Sequence, residues 1–300
     1  MAMEYTMREL LARRDCVLAP EIYDCLSAQS VEESGFEATV LSGCELAWSM
    51  LGVPDLGLMG FEELLWATTR IASYSRLPMI VDCENGYGPV LNTYRNCRRM
   101  AQAGAAGVIL VDGPETRVGG CLPVEQAVEK YEAAHEALKD TDCILVARTD
   151  AEDLSEAMER CNRYREAGAD MTLVFTINNI RPSDRYDACK TIARNVDGWK
   201  WYPDLGAHDG KTDVTLEQVA ELGFNFVGVH YLMSAALWAM KDAGVHNFAN
   251  RNSVYSTEKY PISGLGTNEQ LREWLHFEQQ FVKDPALEDR WPYSVIKRGH

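Results

Sequence analysis

The chain has 300 residues, 46% of them hydrophobic, enough to bury a large core. Its 45 acidic residues outnumber 29 basic ones, and the formal charge of −16 argues against nucleic acid or an anionic membrane as a partner. A small anionic substrate is not excluded, because a metal ion or a few local cations can reverse the field inside a pocket.

In chain order, the first 15 residues are charged and amphipathic, unlike a signal peptide, and no later apolar run approaches the roughly 18 residues of a membrane span. Nine cysteines, at positions 16, 25, 44, 83, 97, 121, 143, 161 and 189, contain no Cys-x-x-Cys pair. Their odd number without a secretion signal points to reduced thiols, no disulfides and a cytoplasmic location.

One unit recurs: a helical stretch ends at a glycine and an apolar strand follows. It is seen at 31–43, 100–113, 164–176 and 219–231, with Gly35, Gly104, Gly168 and Gly223 placed as helix C-caps. Together with strands lacking that glycine, eight are expected, at about 16–20, 37–42, 78–82, 107–112, 143–148, 171–175, 198–202 and 225–229. Each is short, apolar and mostly unbroken, as strands covered on both faces are. Helical segments such as 92–103, 124–138, 153–167 and 215–222 separate them. The alternation predicts an α/β fold, a closed (β/α)8 TIM barrel with additional C-terminal helices. An open doubly wound sheet is the alternative, but no strand-linked Gly-x-Gly-x-x-Gly or P-loop supports it. Residues 1–245 are expected to form the catalytic barrel and 246–300 a helical extension packing on it or on a partner subunit. A helix at 268–282 would place 271, 274, 275 and 278 on one face, of which only Glu278 is polar.

Chemistry in such barrels sits at the carboxyl ends of the strands. Those ends read Ser42-Gly43-Cys44, Asp82 with Glu84, Asp112, Arg148-Thr149-Asp150, Thr176 with Asn178, Tyr202 with Asp204, and His230-Tyr231. If the backbone stays extended through Cys83, Asp82 and Glu84 aim at one spot and suit a divalent metal. Arg148 reads either as an anion ligand or as a salt-bridge partner of Asp150 or Asp82. Ser42-Gly43 reads either as a turn or as a pair of N–H groups holding a carboxylate.

These residues together resemble the isocitrate lyase/phosphoenolpyruvate mutase superfamily over most of the chain up to about residue 245. The likeness rests on LAPEIYDCLSAQSVEESGFEATVLSG (18–43), LGVPDLGLMGFEELL (51–65), VDCENGYGP (81–89), AGAAGVILVDG (103–113) and ILVARTDA (144–151), in that order. It implies a Mg²⁺-dependent enzyme, with Mn²⁺ as the substitute ion, acting on small 2-oxo or 2-hydroxy (di)carboxylates or phosphonates. Asp82 would bind the metal, with Glu84 and Asp55 behind it through water. Ser42, Gly43, Cys44 and Tyr23 would bind substrate, and Arg148 its anionic group. The resemblance also implies a homo-oligomer, a dimer of dimers.

The stretch VDGPETRVGGC (111–121) departs from the family's patterns. The metal-supporting glutamate is Val111, and the Lys-x-Cys-Gly-His of the carbon–carbon lyases is lost, with Gly119 and Cys121 at its cysteine and histidine positions. The Asn-Ser of the phosphonate-forming mutases is Gly119-Gly120. Cys121 is a replacement proton donor if its loop folds inward, since a thiol beside Arg117 would have a lowered pKa, and otherwise an ordinary loop cysteine. His230 with Tyr231, or Asp204 with His208, are alternative acid/base candidates. The leading expectation is a lyase cleaving a carbon–carbon bond through an enolate-type intermediate. The alternatives are carbon–phosphorus chemistry and a non-catalytic acid-binding barrel.

Overall fold

The structure, a computed structural model, describes residues 5–13, 15–114, 120–208, 211–261 and 267–282. The chain divides into two compact units, Met1–Met233 and Ser234–His300.

The first unit is a closed barrel of eight parallel strands. They are β1 (Val17–Ile22), β2 (Thr39–Leu41), β3 (Met79–Asp82), β4 (Gly107–Val111), β5 (Ile144–Thr149), β6 (Met171–Val174), β7 (Trp199–Tyr202) and, after a short antiparallel ribbon of β8 (Ala207–His208) and β9 (Lys211–Thr212), β10 (Phe226–Val229). β10 pairs with β1 and closes the circle. This is the anticipated TIM barrel, with every barrel strand within a few residues of its expected place. The helices of this unit are α1 (Met7–Leu11), α2 (Cys25–Glu33), α3 (Gly43–Leu46), α4 (Phe61–Tyr74), α5 (Val90–Gln102), α6 (Val124–Leu138), α7 (Leu154–Glu166), α8 (Arg185–Asn195) and α9 (Leu216–Glu221). Gly35, Gly104, Gly168 and Gly223 follow α2, α5, α7 and α9 with φ between 83° and 102°, a conformation that costs glycine nothing and lets each helix stop before its strand. α10 (Leu232–Asn250) spans the division, and α11 (Val254–Lys259) and α12 (Thr267–Gln279) lie in the second unit.

Strand alternation sorts the core into layers. In β4, Val108 and Leu110 pack outward with the helix side chains, whereas Ile109 belongs to the barrel interior. In β5, Leu145 and Ala147 are outward, and Ile144 and Val146 inward. α1 supplies Met7, Leu10 and Leu11 to the interior cluster. Its Arg8 pairs with Asp170 just before β6 at 2.7 Å, so it plugs the end of the barrel where the strands begin. The opposite end stays open for polar side chains.

Candidate active site

The inward phase of the strands delivers polar groups to one place. Asp82 shares its phase with the interior residue Ile80, Arg148 with Val146, Ser42 with Val40, Glu21 with Ala19, and His230 with Phe226. The result is a cavity of about 490 Å³ at the carboxyl end of the barrel, lined by Glu21, Ser42, Cys44, Asp55, Asp82, Arg148, Asp204 and His230 over apolar side chains that include Val40, Phe175 and Trp201. The structure therefore brings together Ser42, Cys44, Asp55, Asp82, Arg148 and His230 from the expected set. Ser42 caps α3, accepting from the Glu45 N–H at 3.4 Å, and the N–H groups of Gly43 and Cys44 open that turn. Arg148 forms the salt bridge to Asp150 that was one of its two readings, bidentate at 2.7 and 3.0 Å, and stacks on Phe175 with 3.7 Å from guanidinium carbon to ring centre.

Asp82 and Glu84 converge, though not by strand alternation. The extended backbone expected through Cys83 is absent. β3 ends at Asp82, whose Oδ1 accepts the Glu84 N–H at 3.1 Å, and Glu84 has φ of +52°. The turn closes where the Gly86 N–H donates to the Cys83 carbonyl. Both carboxylates still reach Gly43: a Cβ built there would stand 3.0 Å from Glu84 Oε1 and 3.5 Å from Asp82 Oδ2. Among the described residues no three or more His, Cys, Asp or Glu side chains are grouped to hold an ion. Two converging carboxylates nevertheless fit Mg²⁺, which takes oxygen ligands, commonly from one or two carboxylates, and fills its shell with water and substrate oxygens. Glu84 also lines an adjoining cavity of about 330 Å³ with Asn85, Tyr87, Val111, Gly113 and Asp150.

A second polar cluster stands across the mouth. His230 places Nε2 2.8 Å from Glu21 Oε1 and Nδ1 3.4 Å from Asp204 Oδ1. Burial opposes its charge, but hydrogen bonds to Asp204 and Glu21 and their negative charges outweigh it, raising its pKa to about 10. Glu45, 5% exposed, has an Oε2 with no hydrogen-bond partner; burial, and then Glu21, push its carboxyl up to about 7 against the opposing charge of His230.

Two expected site residues lie elsewhere. Cys121 packs with a cluster of Ala151, Cys161 and their neighbours rather than lining the cavity, and burial followed by the Asp112 carboxylate pushes its thiol up to about 12, the reverse of the anticipated lowering. Arg117, invoked for that lowering, lies outside the described residues. Tyr23 lines a separate cavity of about 420 Å³ with Leu26, Trp66 and Arg70. Asp112 is 1% exposed and turned away from the mouth. It accepts from Thr149 Oγ1 and Tyr164 OH at 2.7 Å each, from the Asp150 N–H at 3.2 Å and from Arg160 Nη1 at 3.4 Å. The side chain of His208 is outside the described residues.

Comparison with known proteins decides the family. The model of the family described as phosphoenolpyruvate phosphomutase matches residues 7–247. This chain belongs to the isocitrate lyase/phosphoenolpyruvate mutase superfamily. Within that superfamily it is 37% identical over 301 residues to the petal death protein of Dianthus caryophyllus, covering 97% of this chain and 91% of the relative. It is 35% identical over 233 residues to 2-methylisocitrate lyase of Aeropyrum pernix, covering 74% and 71%. Among solved structures, phosphonopyruvate hydrolase in complex with oxalate and Mg²⁺ superposes with a TM-score of 0.78 at 23% identity, over 97% of this chain and 99% of that one. In this superfamily member, sequence reading missed Glu21 and Glu45 as parts of the mouth. The signal was there: each is the one charged residue in a mostly buried stretch, VLAPEI and TVLSGCEL.

Proposed function

We propose that this protein is a metal-dependent lyase that cleaves a carbon–carbon bond of a small 2-hydroxy or 2-oxo carboxylate, leaving one fragment as an enolate. The observation carrying this reading is the convergence of Asp82 and Glu84 on Gly43, beside the cavity that Ser42, Asp55 and Arg148 also line. Asp82 would hold Mg²⁺, or Mn²⁺ in its place, with Glu84 and Asp55 behind it through water. Bound there, the ion supplies Lewis acidity toward an oxygen on the carbon next to the head carboxylate. The Ser42 hydroxyl and the N–H groups of Gly43 and Cys44 receive that carboxylate. Arg148, oriented by Asp150 and Phe175, faces the substrate's anionic charge. His230 stays protonated at neutral pH with both ring nitrogens facing Glu21 and Asp204, so it does not serve as a base. Carbon–phosphorus chemistry would require a nucleophile or polar clamp from residues 113–121. The described residues of that stretch lining the adjoining cavity are Gly113, Pro114 and Gly120, which supply neither.

The test is a panel of 2-hydroxy and 2-oxo acids with Mg²⁺, following pyruvate, glyoxylate and oxalate. Turnover that vanishes with chelator and returns with Mg²⁺ is expected. Turnover indifferent to chelation overturns the metal role. No product, with no thermal shift from any acid, overturns the enzyme reading.

The same proposal places the protein in the cytoplasm as a homo-oligomer, a dimer of dimers. All nine cysteines are free thiols, as suits a reducing compartment, and no described helix is long and apolar enough to cross a membrane. The second unit exposes Trp238, Phe248, Trp274, Phe277 and Phe281, each by 53% or more, apolar side chains that a partner subunit would cover.

A further inference from the structure

Every basic side chain lining the mouth cavity, among the described residues, already faces a carboxylate. Arg148 is matched by Asp150, while His230 is shared between Glu21 at 2.8 Å and Asp204 at 3.4 Å. The corner made by β1, β7 and β10 thus holds two carboxylates on one imidazole, so it carries a net negative charge even with the ring protonated. Glu45 stands behind it, buried and with an oxygen lacking any partner, so any further negative charge arriving there meets a third carboxyl group. The wall beside this corner is apolar, formed by Val40, Leu173, Phe175 and Trp201. The opposite side of the mouth differs, because Asp82 and Glu84 fit a divalent cation that offsets their charge.

We infer that the arm of the substrate lying against β1, β7 and β10 is uncharged, and that Glu21 and Asp204 act as a specificity filter rejecting a carboxylate there. This rests on the reading of the cavity as a carboxylate-binding site. The head carboxylate still has Ser42, Gly43 and the metal position, and one further anionic group has Arg148. An additional carboxylate would meet the corner's net negative charge in a half-buried setting, which lowers affinity on the order of 10- to 100-fold. An alkyl arm of equal length instead packs against Phe175 and Trp201.

The test uses two ligands whose arms are of similar length, 2-propylsuccinate and propane-1,2,3-tricarboxylate, which is succinate with a carboxymethyl arm. Neither carries the hydroxyl needed for cleavage, so calorimetric titration of the full chain with Mg²⁺ reads binding alone. The propyl ligand is expected to bind about tenfold tighter or more. In Glu21→Gln/Asp204→Asn, that ratio falls toward one, since the amides carry no charge to repel the carboxylate. Should the double variant fail to fold, Glu21→Gln alone is expected to reduce the ratio by about half on a logarithmic scale. Equal or tighter binding of the tricarboxylate by the unaltered chain overturns the inference, as does absence of binding by both ligands. Failure of the lyase reading shows separately: a chain that discriminates between the two ligands yet turns over no 2-hydroxy or 2-oxo acid keeps the filter and loses only the activity.

Discussion

Asp82 and Asp112 end neighbouring strands, β3 and β4, and each follows a run of apolar residues, yet they meet opposite fates. Asp82 sits in the inward phase with Ile80 and lines the mouth cavity. Asp112 sits in the outward phase with Val108 and Leu110, where Thr149, Tyr164, Arg160 and the Asp150 N–H donate to it. One aspartate is left facing a cavity and the other becomes a brace joining β4, β5 and α7. A carboxylate at a strand's end is therefore read by its parity as much as by its position. An odd step from the interior residues turns the same side chain from site to scaffold.

That contrast can be broken directly. Asp82→Ala is expected to abolish metal-dependent turnover, a loss of about a thousandfold or more, while urea unfolding stays close to that of the parent. A large loss of stability would show that Asp82 is scaffold too. Asp112→Ala is expected to do the reverse, costing about 2 kcal/mol or more by urea unfolding, since Arg160 is left with Glu156 as its carboxylate partner and the buried Thr149 and Tyr164 hydroxyls lose their acceptor. A stable Asp112→Ala protein with impaired turnover would erase the distinction. Glu84→Gln sharpens it at smaller scale: acting through water, Glu84 is expected to contribute about tenfold to turnover, recovered in part at higher Mg²⁺.

A smaller effect concerns His230. Its folded pKa lies at about 10, above the ordinary 6.5, so its ion pairs stabilise the fold fully below about pH 6.5 and lose that contribution as pH rises toward 10. The stability difference between the parent and His230→Gln, measured by urea unfolding at pH 6, 8 and 10, should shrink across that window. A difference that grows with pH would mean that Glu21 and Asp204 do not hold the charge. The smallest expected change in activity comes from Trp274→Lys, on the exposed face of α12. If the chain associates as proposed, it should lower the oligomeric state in light scattering while leaving barrel chemistry in place, and an unchanged mass would remove α12 from the proposed interface.

Much of the barrel was legible because its signals are local. Gly35, Gly104, Gly168 and Gly223 mark where helices stop, and the short apolar runs after them can only be strands covered on both sides. That Ser42, Asp82 and Arg148 line one cavity was legible because each directly follows such a run. Glu84 approaches Asp82 as its motif suggested, but by a left-handed turn rather than by strand alternation. Of the two readings of Cys121, its surroundings favour the ordinary cysteine, because a thiol's acidity depends on what lies around it, and here that is the apolar cluster and Asp112.

By itself the sequence determined the alternation of elements, the parity of each strand and hence which side chains can face the interior. Periodicity and glycine caps act within a few residues, so no distant contact is needed to read them. Only the tertiary structure decided that Glu21, Glu45, Asp204 and His230 form one cluster. They come from the first two and the last two strands of the barrel and their loops, and meet because β10 closes against β1. The charge that cluster carries is a property of barrel closure, since burial and the distances among four titratable groups fix it and no single segment contains them.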